Sequence, residues 1–136
     1  MVIKVACGVI VDKDKVLCVQ RSETMSLPLK WEFPGGKIEL GETAEACLIR
    51  ELEEELEIKV SIIEKLSNSY FDYGNFEIIL IPYICQFIGD KIVLKEHKKY
   101  LWLSTNELIL LDWAPADIPI VNEIIKLNLD NDGRII

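Results

Sequence analysis

From Gly35 to Ile58 the chain reads GGKIELGETAEACLIRELEEELEI, with eight glutamates among these residues. So much like charge suits a helix, whose side chains point outward, and not a buried strand. Ala46, Ile49, Leu52 and Leu56 recur at three- and four-residue steps, which predicts an amphipathic helix that starts at an N-cap on Thr43, runs to about Leu56 and buries those four residues. Glu51, Glu54 and Glu55 stand at i, i+3 and i+4, so they project together from roughly the opposite face. Each like-charged pair costs a few tenths of a kcal/mol. A solvated face accepts that cost, whereas a hard divalent cation reverses it. The spacing alone leaves both readings open.

The flanking segments predict strands. VIKVACGVIV and VLCVQR are rich in β-branched residues and are joined by DKDK, as in a hairpin. SETMSLPLK is polar and irregular, and WEFPGG, with Pro34 and two glycines, reads as a loop that delivers the chain to the helix. After the helix, KVSIIEKLSNSYFDY, NFEIILIPYICQFIGD, KIVLKE and KYLWLS read as strands broken at Gly74, Asn75, Gly89 and Asp90. STNELILL predicts a brief helix capped by Ser104 or Thr105, and PADIPIVNEIIKLNL a second helix with a proline near its start and the apolar repeat Ile118, Val121, Ile124 and Ile125. The tail NDGRII is expected to fray. The pattern is that of a mixed sheet with helices packed against it, in one domain over residues 1–136.

Half of the 136 residues are hydrophobic and 28% are charged, enough apolar mass for a core without disulfides or a structural metal. The net charge of −8 and the absence of a basic run argue against a nucleic-acid polymer held through its phosphates. A small phosphorylated ligand is compatible, because divalent cations bridge carboxylates to phosphates. Cys7, Cys18, Cys47 and Cys85 sit singly in apolar contexts, apart from the lone His97, as core thiols of a reducing compartment do. With no secretory pattern and no membrane-spanning run, the expected location is the cytoplasm.

Gly36, Glu42, Arg50, Glu51, Leu52, Glu54, Glu55 and Ile58 fall in one register: glycine, five residues, glutamate, seven residues, then R-E-aliphatic-x-E-E-x-x-aliphatic. This stretch resembles the Nudix box, the signature of the Nudix hydrolases. It departs at Glu57, where the family usually has the glycine that ends the helix in a left-handed conformation. The resemblance extends over most of the chain to the MutT-like branch, through WEFPGGKIELGE, KEHKKYLWL and WAPADIPIV. It implies an α/β fold, the Nudix α/β/α sandwich around a mixed β-sheet.

The resemblance also implies roles. Glu51, Glu54 and Glu55 ligate Mg2+, or Mn2+, together with the carbonyl of Gly35, and Arg50 braces loop and helix with Glu42. Glu96 is a further ligand or the base that deprotonates the attacking water, with His97 as a rival base. Arg21 contacts substrate phosphate, or is a surface arginine. Phe33 packs on a base, or in the core. Asp117 reads the base edge, or caps the last helix.

The implied reaction is hydrolysis of a nucleoside triphosphate to a monophosphate and pyrophosphate by a monomer or homodimer. The leading substrate is 8-oxo-dGTP, because an ionised Asp117 accepts from both the N1 and amino donors of guanine. The alternatives are CTP, dCTP and their 5-methyl forms, suggested by A-P-A-D-I-P, and a non-catalytic nucleotide-sensing domain. The last is disfavoured by the retained box glutamates.

Overall fold

A computed structural model describes residues 1–136. Its centre is β1 (Val2–Asp12), an eleven-residue strand whose burial alternates between two cores. Cys7, Val9 and Val11 face one side, and Ala6 and Ile10 the other, as a period of two requires. β1 turns into β2 (Lys15–Gln20), so the expected hairpin forms. The eight-stranded sheet is mixed: β1 pairs in parallel with β7 (Glu77–Ile88), and every other pairing is antiparallel. β5 (Lys59–Lys65) and β6 (Ser69–Asp72) line up on β7, while β8 (Lys99–Leu103) pairs with β2.

Helix α1 (Ala44–Leu56) covers the Ala6/Ile10 face, and α2 (Ile118–Lys126) covers the other. The result is the three-layered α/β/α sandwich. Thr43 caps α1 as expected, its hydroxyl accepting from the Ala46 N–H at 3.1 Å. All four cysteines are free and buried, and no helix is long and apolar enough to cross a membrane.

Five expectations need correction. WEFPGG is not all loop: β3 (Trp31–Glu32) pairs with β2, and β4 (Gly35–Lys37) pairs with β1. KIVLKE forms no strand; Val93 N–H donates to the Leu56 carbonyl, and Ile92 and Leu94 pack on the α1 side. Those apolar side chains are better buried against the helix end, where an orphan carbonyl also needs a donor. In α1 the buried residues are Cys47, Leu48, Leu52 and Leu56, while Ala46 is exposed and Ile49 is 44% exposed. Both sets are helically periodic, and contact with the sheet selects between them. In α2 the buried face is Ile120, Val121 and Ile124, leaving Ile118 and Ile125 partly exposed, while a short 3-10 turn, Pro115–Asp117, precedes it. The tail closes a turn, with Ile136 N–H donating to the Asn128 carbonyl and Gly133 lying against Val11 and Ile84.

Glu57 takes the left-handed conformation that a glycine would adopt freely, at φ 54°, and its N–H donates to the Glu53 carbonyl. The Cβ costs about 1 kcal/mol there. The departure from the box therefore leaves the helix end unchanged in geometry.

Candidate active site

Rotation of the α1 stripe onto Cys47 and Leu48 has a direct consequence for the acids. Glu51 and Glu55 follow these residues by one helical turn or two, so they flank the buried face instead of opposing it. The side chain of Glu51 is only 15% exposed, against 56% for Glu54. Glu51 and Glu55 line a cleft of about 830 Å³; Glu54 does not. Burial raises the pKa of both cleft acids, and Glu96, Glu51 and Glu54 add to the rise at Glu55.

Arg50 ties this group to the preceding loop. Its Nε and one terminal nitrogen donate to the two oxygens of Glu42 at 2.7 and 2.9 Å, a bidentate pair, while its other terminal nitrogen reaches Glu51 at 2.9 Å and Glu54 at 3.1 Å. The guanidinium, with the Glu39 N–H, draws the Glu42 pKa down to about 2. Glycine at 36 leaves room for the Glu51 carboxyl, since a Cβ there would lie 2.1 Å from its Cδ. Gly35 presses on β1, where a Cβ would meet the Ala6 carbonyl oxygen at 2.0 Å. Neither glycine has a positive φ. Close approach, not backbone freedom, demands them.

Gly35, Glu96, His97, Arg21, Phe33 and Asp117 also line the cleft. No three acidic, histidine or cysteine side chains converge in a ready metal cage. The donor chemistry nonetheless fits a hard divalent cation: Glu51, Glu54 and Glu55 bring three carboxylates to one stretch of helix, and Arg50 pairs with only the first two of them. Sequence reading placed Glu54 with Glu51 and Glu55; the structure keeps it on α1 but outside the cleft wall.

At the opposite end the walls are apolar, built from Ile3, Val5, Tyr73, Phe76, Ile78 and Leu80. Phe33 is buried and stacks on Trp113 with centroids 4.7 Å apart, so core packing sets its ring. Asp117, 5% exposed, makes no cap hydrogen bond to α2; it accepts from the Phe33 N–H at 3.0 Å. Burial, and then the Glu32 charge, push its pKa well above the usual carboxylate range.

That shift fixes a sign. A carboxyl whose folded pKa is raised costs stability as pH climbs from its unfolded value, near 3.9, through the folded one. Asp117→Asn, which keeps an acceptor for Phe33, is expected to melt with wild type near pH 4 and progressively above it toward pH 8. A constant offset across thermal melts would show that the charge is not the cause.

Two contacts of the site are not legible in the sequence. Glu32, between Trp31 and Phe33, bridges Arg21 and His97 at 2.9 Å each. A charged residue between two buried aromatics was the available signal. Tyr73 accepts from the Ala116 N–H at 3.1 Å and so steadies the turn that carries Asp117. Nothing in its local sequence marks that contact.

A sheet sandwiched by two helices, with a loop–helix acid cluster opening on a bipartite cleft, defines a Nudix-type hydrolase. The NUDIX domain model matches residues 2–124, and the chain belongs to that family. It is 30% identical to the CTP pyrophosphohydrolase of Escherichia coli K12, over 92% of this chain and 93% of that one. It is also 30% identical to the 8-oxo-dGTP diphosphatase of the same organism, over 92% and 98%. The solution structure of the Nudix hydrolase MutT from methicillin-resistant Staphylococcus aureus 252 superposes with a TM-score of 0.75 at 46% identity, covering 92% of this chain and 96% of that one.

Proposed function

We propose that this protein hydrolyses nucleoside triphosphates to monophosphate and pyrophosphate, with 8-oxo-dGTP as its leading substrate. The observation that carries the reading is the polarity of the cleft. One end is apolar with a single buried acid, Asp117, and suits a base; the other gathers Glu51, Glu55 and Glu96 and suits a metal-bound polyphosphate. Relatives named for 8-oxo-dGTP and for CTP support a triphosphate substrate.

Mg2+ or Mn2+, when bound, supplies charge neutralisation for the phosphates and a more acidic water. Glu51, Glu55 and Glu96 would hold it with the Gly35 carbonyl, and Glu54 would join from the outer side of the helix. Arg50 orients Glu51 through its hydrogen bond and keeps the loop closed through Glu42. Glu96 makes no side-chain ion pair and is the acceptor for the water proton. Arg21, held by Glu32 and Ser26, faces the substrate phosphates from the cleft wall. The working unit is one domain over residues 1–136, placed in the cytoplasm.

Asp117 favours a second reading in part. Ionised, it accepts both donors of a guanine edge; protonated, as its burial promotes, it offers one donor and one acceptor and so matches N3 and the amino group of cytosine. A panel of 8-oxo-dGTP, dGTP, CTP, dCTP and 5-methyl-dCTP, assayed for pyrophosphate with magnesium, manganese or chelator, separates the two. The expected result is metal-dependent release of one pyrophosphate per monophosphate, with the highest kcat/KM for 8-oxo-dGTP. A cytosine nucleotide at the top would establish the second reading, and no release from any would overturn both.

A further inference from the structure

Glu96 reaches the cleft from an irregular segment between β7 and β8, far along the chain from α1 and its preceding loop. Val93 anchors the start of this stretch to the Leu56 carbonyl, and Lys98 N–H anchors its end to the Gln20 carbonyl. Between these ties, Lys95 forms only an exposed pair with Glu57 at 3.3 Å. The buried contact is His97, 9% exposed, whose Nε2 lies 2.9 Å from Glu32 Oε2.

Glu32 is a built anchor. It stands on β3, its other oxygen accepts from Arg21 at 2.9 Å, and β3 is hydrogen-bonded to β2. A carboxylate only accepts, so Nε2 carries the proton and the imidazole is held in one tautomer. Nδ1 is sealed from solvent and has no partner. One nitrogen is therefore occupied and the other unreachable by water, which removes His97 as a general base in this arrangement.

We propose that His97 is a positioning residue that acts through Glu96: its clamp on Glu32 holds the segment so that Glu96 faces Glu55 across the metal end of the cleft. Glu55 and Glu96 both line the cleft, one from α1 and the other from the segment that His97 ties down. The same Glu32 touches Arg21, so one carboxylate on a strand ties down both Arg21 in the cleft wall and the residue next to Glu96. This inference rests on the reading of Glu96 as a working acid of the site.

The test is a mutant cycle in the intact protein, read by triphosphate hydrolysis and, separately, by Mn2+ titration without nucleotide, followed by electron paramagnetic resonance. Glutamine carries an amide N–H as many bonds from Cα as Nε2, so His97→Gln should keep kcat within about threefold. His97→Phe, which loses the donor, should lower kcat by about 10- to 100-fold with KM nearly unchanged, and weaken Mn2+ by a factor of similar size. Should that variant not fold, His97→Asn, too short to reach Glu32, takes its place. Glu96→Gln combined with His97→Phe should be no worse than Glu96→Gln alone, because the clamp has nothing left to position. Multiplying losses, or His97→Gln as damaged as His97→Phe, would overturn the proposal and leave the Glu96 assignment standing. Full activity and Mn2+ affinity in Glu96→Gln would overturn both.

Discussion

Glu55→Gln is expected to lower kcat by about 10²- to 10³-fold while raising the melting temperature in metal-free buffer at neutral pH. The two effects have opposite signs for one reason. Glu55 is desolvated beside Glu96, Glu51 and Glu54 and has no ion-pair partner. Its charge therefore opposes folding and is retained for what it binds. Glutamine preserves shape and removes the repulsion, and with it a hard ligand for a divalent cation. Magnesium should raise the wild-type melting temperature more than sodium at equal ionic strength, and should raise that of Glu55→Gln less. Glu53→Gln is the control: this residue is exposed on the same helix and outside the cleft, and its loss should leave turnover within a few-fold. Equal losses at 53 and 55 would mean that the helix as a whole, not a site, had been damaged.

Gly36→Ala and Gly35→Ala should fail in different ways. At Gly36 the three atoms nearest a new methyl all belong to the flexible Glu51 side chain, Cδ at 2.1 Å, Oε2 at 2.4 Å and Cγ at 2.5 Å. Glu51 can swing away, so the melting temperature should change little, but displacement of an acid by an ångström or so costs about 10²-fold in kcat. At Gly35 the methyl meets backbone, the Ala6 carbonyl oxygen at 2.0 Å and the Cys7 Cα at 2.7 Å. Backbone cannot rotate aside, and β4 must part from β1. That overlap should cost about 1–3 kcal/mol or more, read as a lower urea midpoint, together with loss of activity. If Gly36→Ala loses stability as severely as Gly35→Ala, the glycine serves the sheet and not Glu51.

The hairpin, the Thr43 cap and the helical span of α1 were legible because each depends on neighbours in sequence: β-branched runs, a hydroxyl three residues from the N–H it caps, a periodic apolar pattern. The faces of the helices were less so. Ala46 and Ile49 continue the repeat of Leu52 and Leu56 as well as Cys47 and Leu48 do, and the one-residue rotation between them is what carries Glu51 and Glu55 into the cleft. Similarly, KIVLKE has strand composition, yet it pairs with no strand and its Val93 N–H goes to the end of α1 instead.

What the sequence determined by itself is the register of glycine, arginine and glutamates from Gly36 to Ile58, and with it the family, since that pattern repeats local geometry of a loop entering a helix. The tertiary structure alone decided which acids enter the cleft, why residues 35 and 36 must lack a side chain, that Asp117 bonds to Phe33 across the fold instead of capping α2, and that Glu32 joins Arg21 to His97. Each of these joins residues distant along the chain, 84 positions apart for Phe33 and Asp117 and 65 for Glu32 and His97. The physical reason is that desolvation and close contact are properties of the space between elements, and no local pattern contains them.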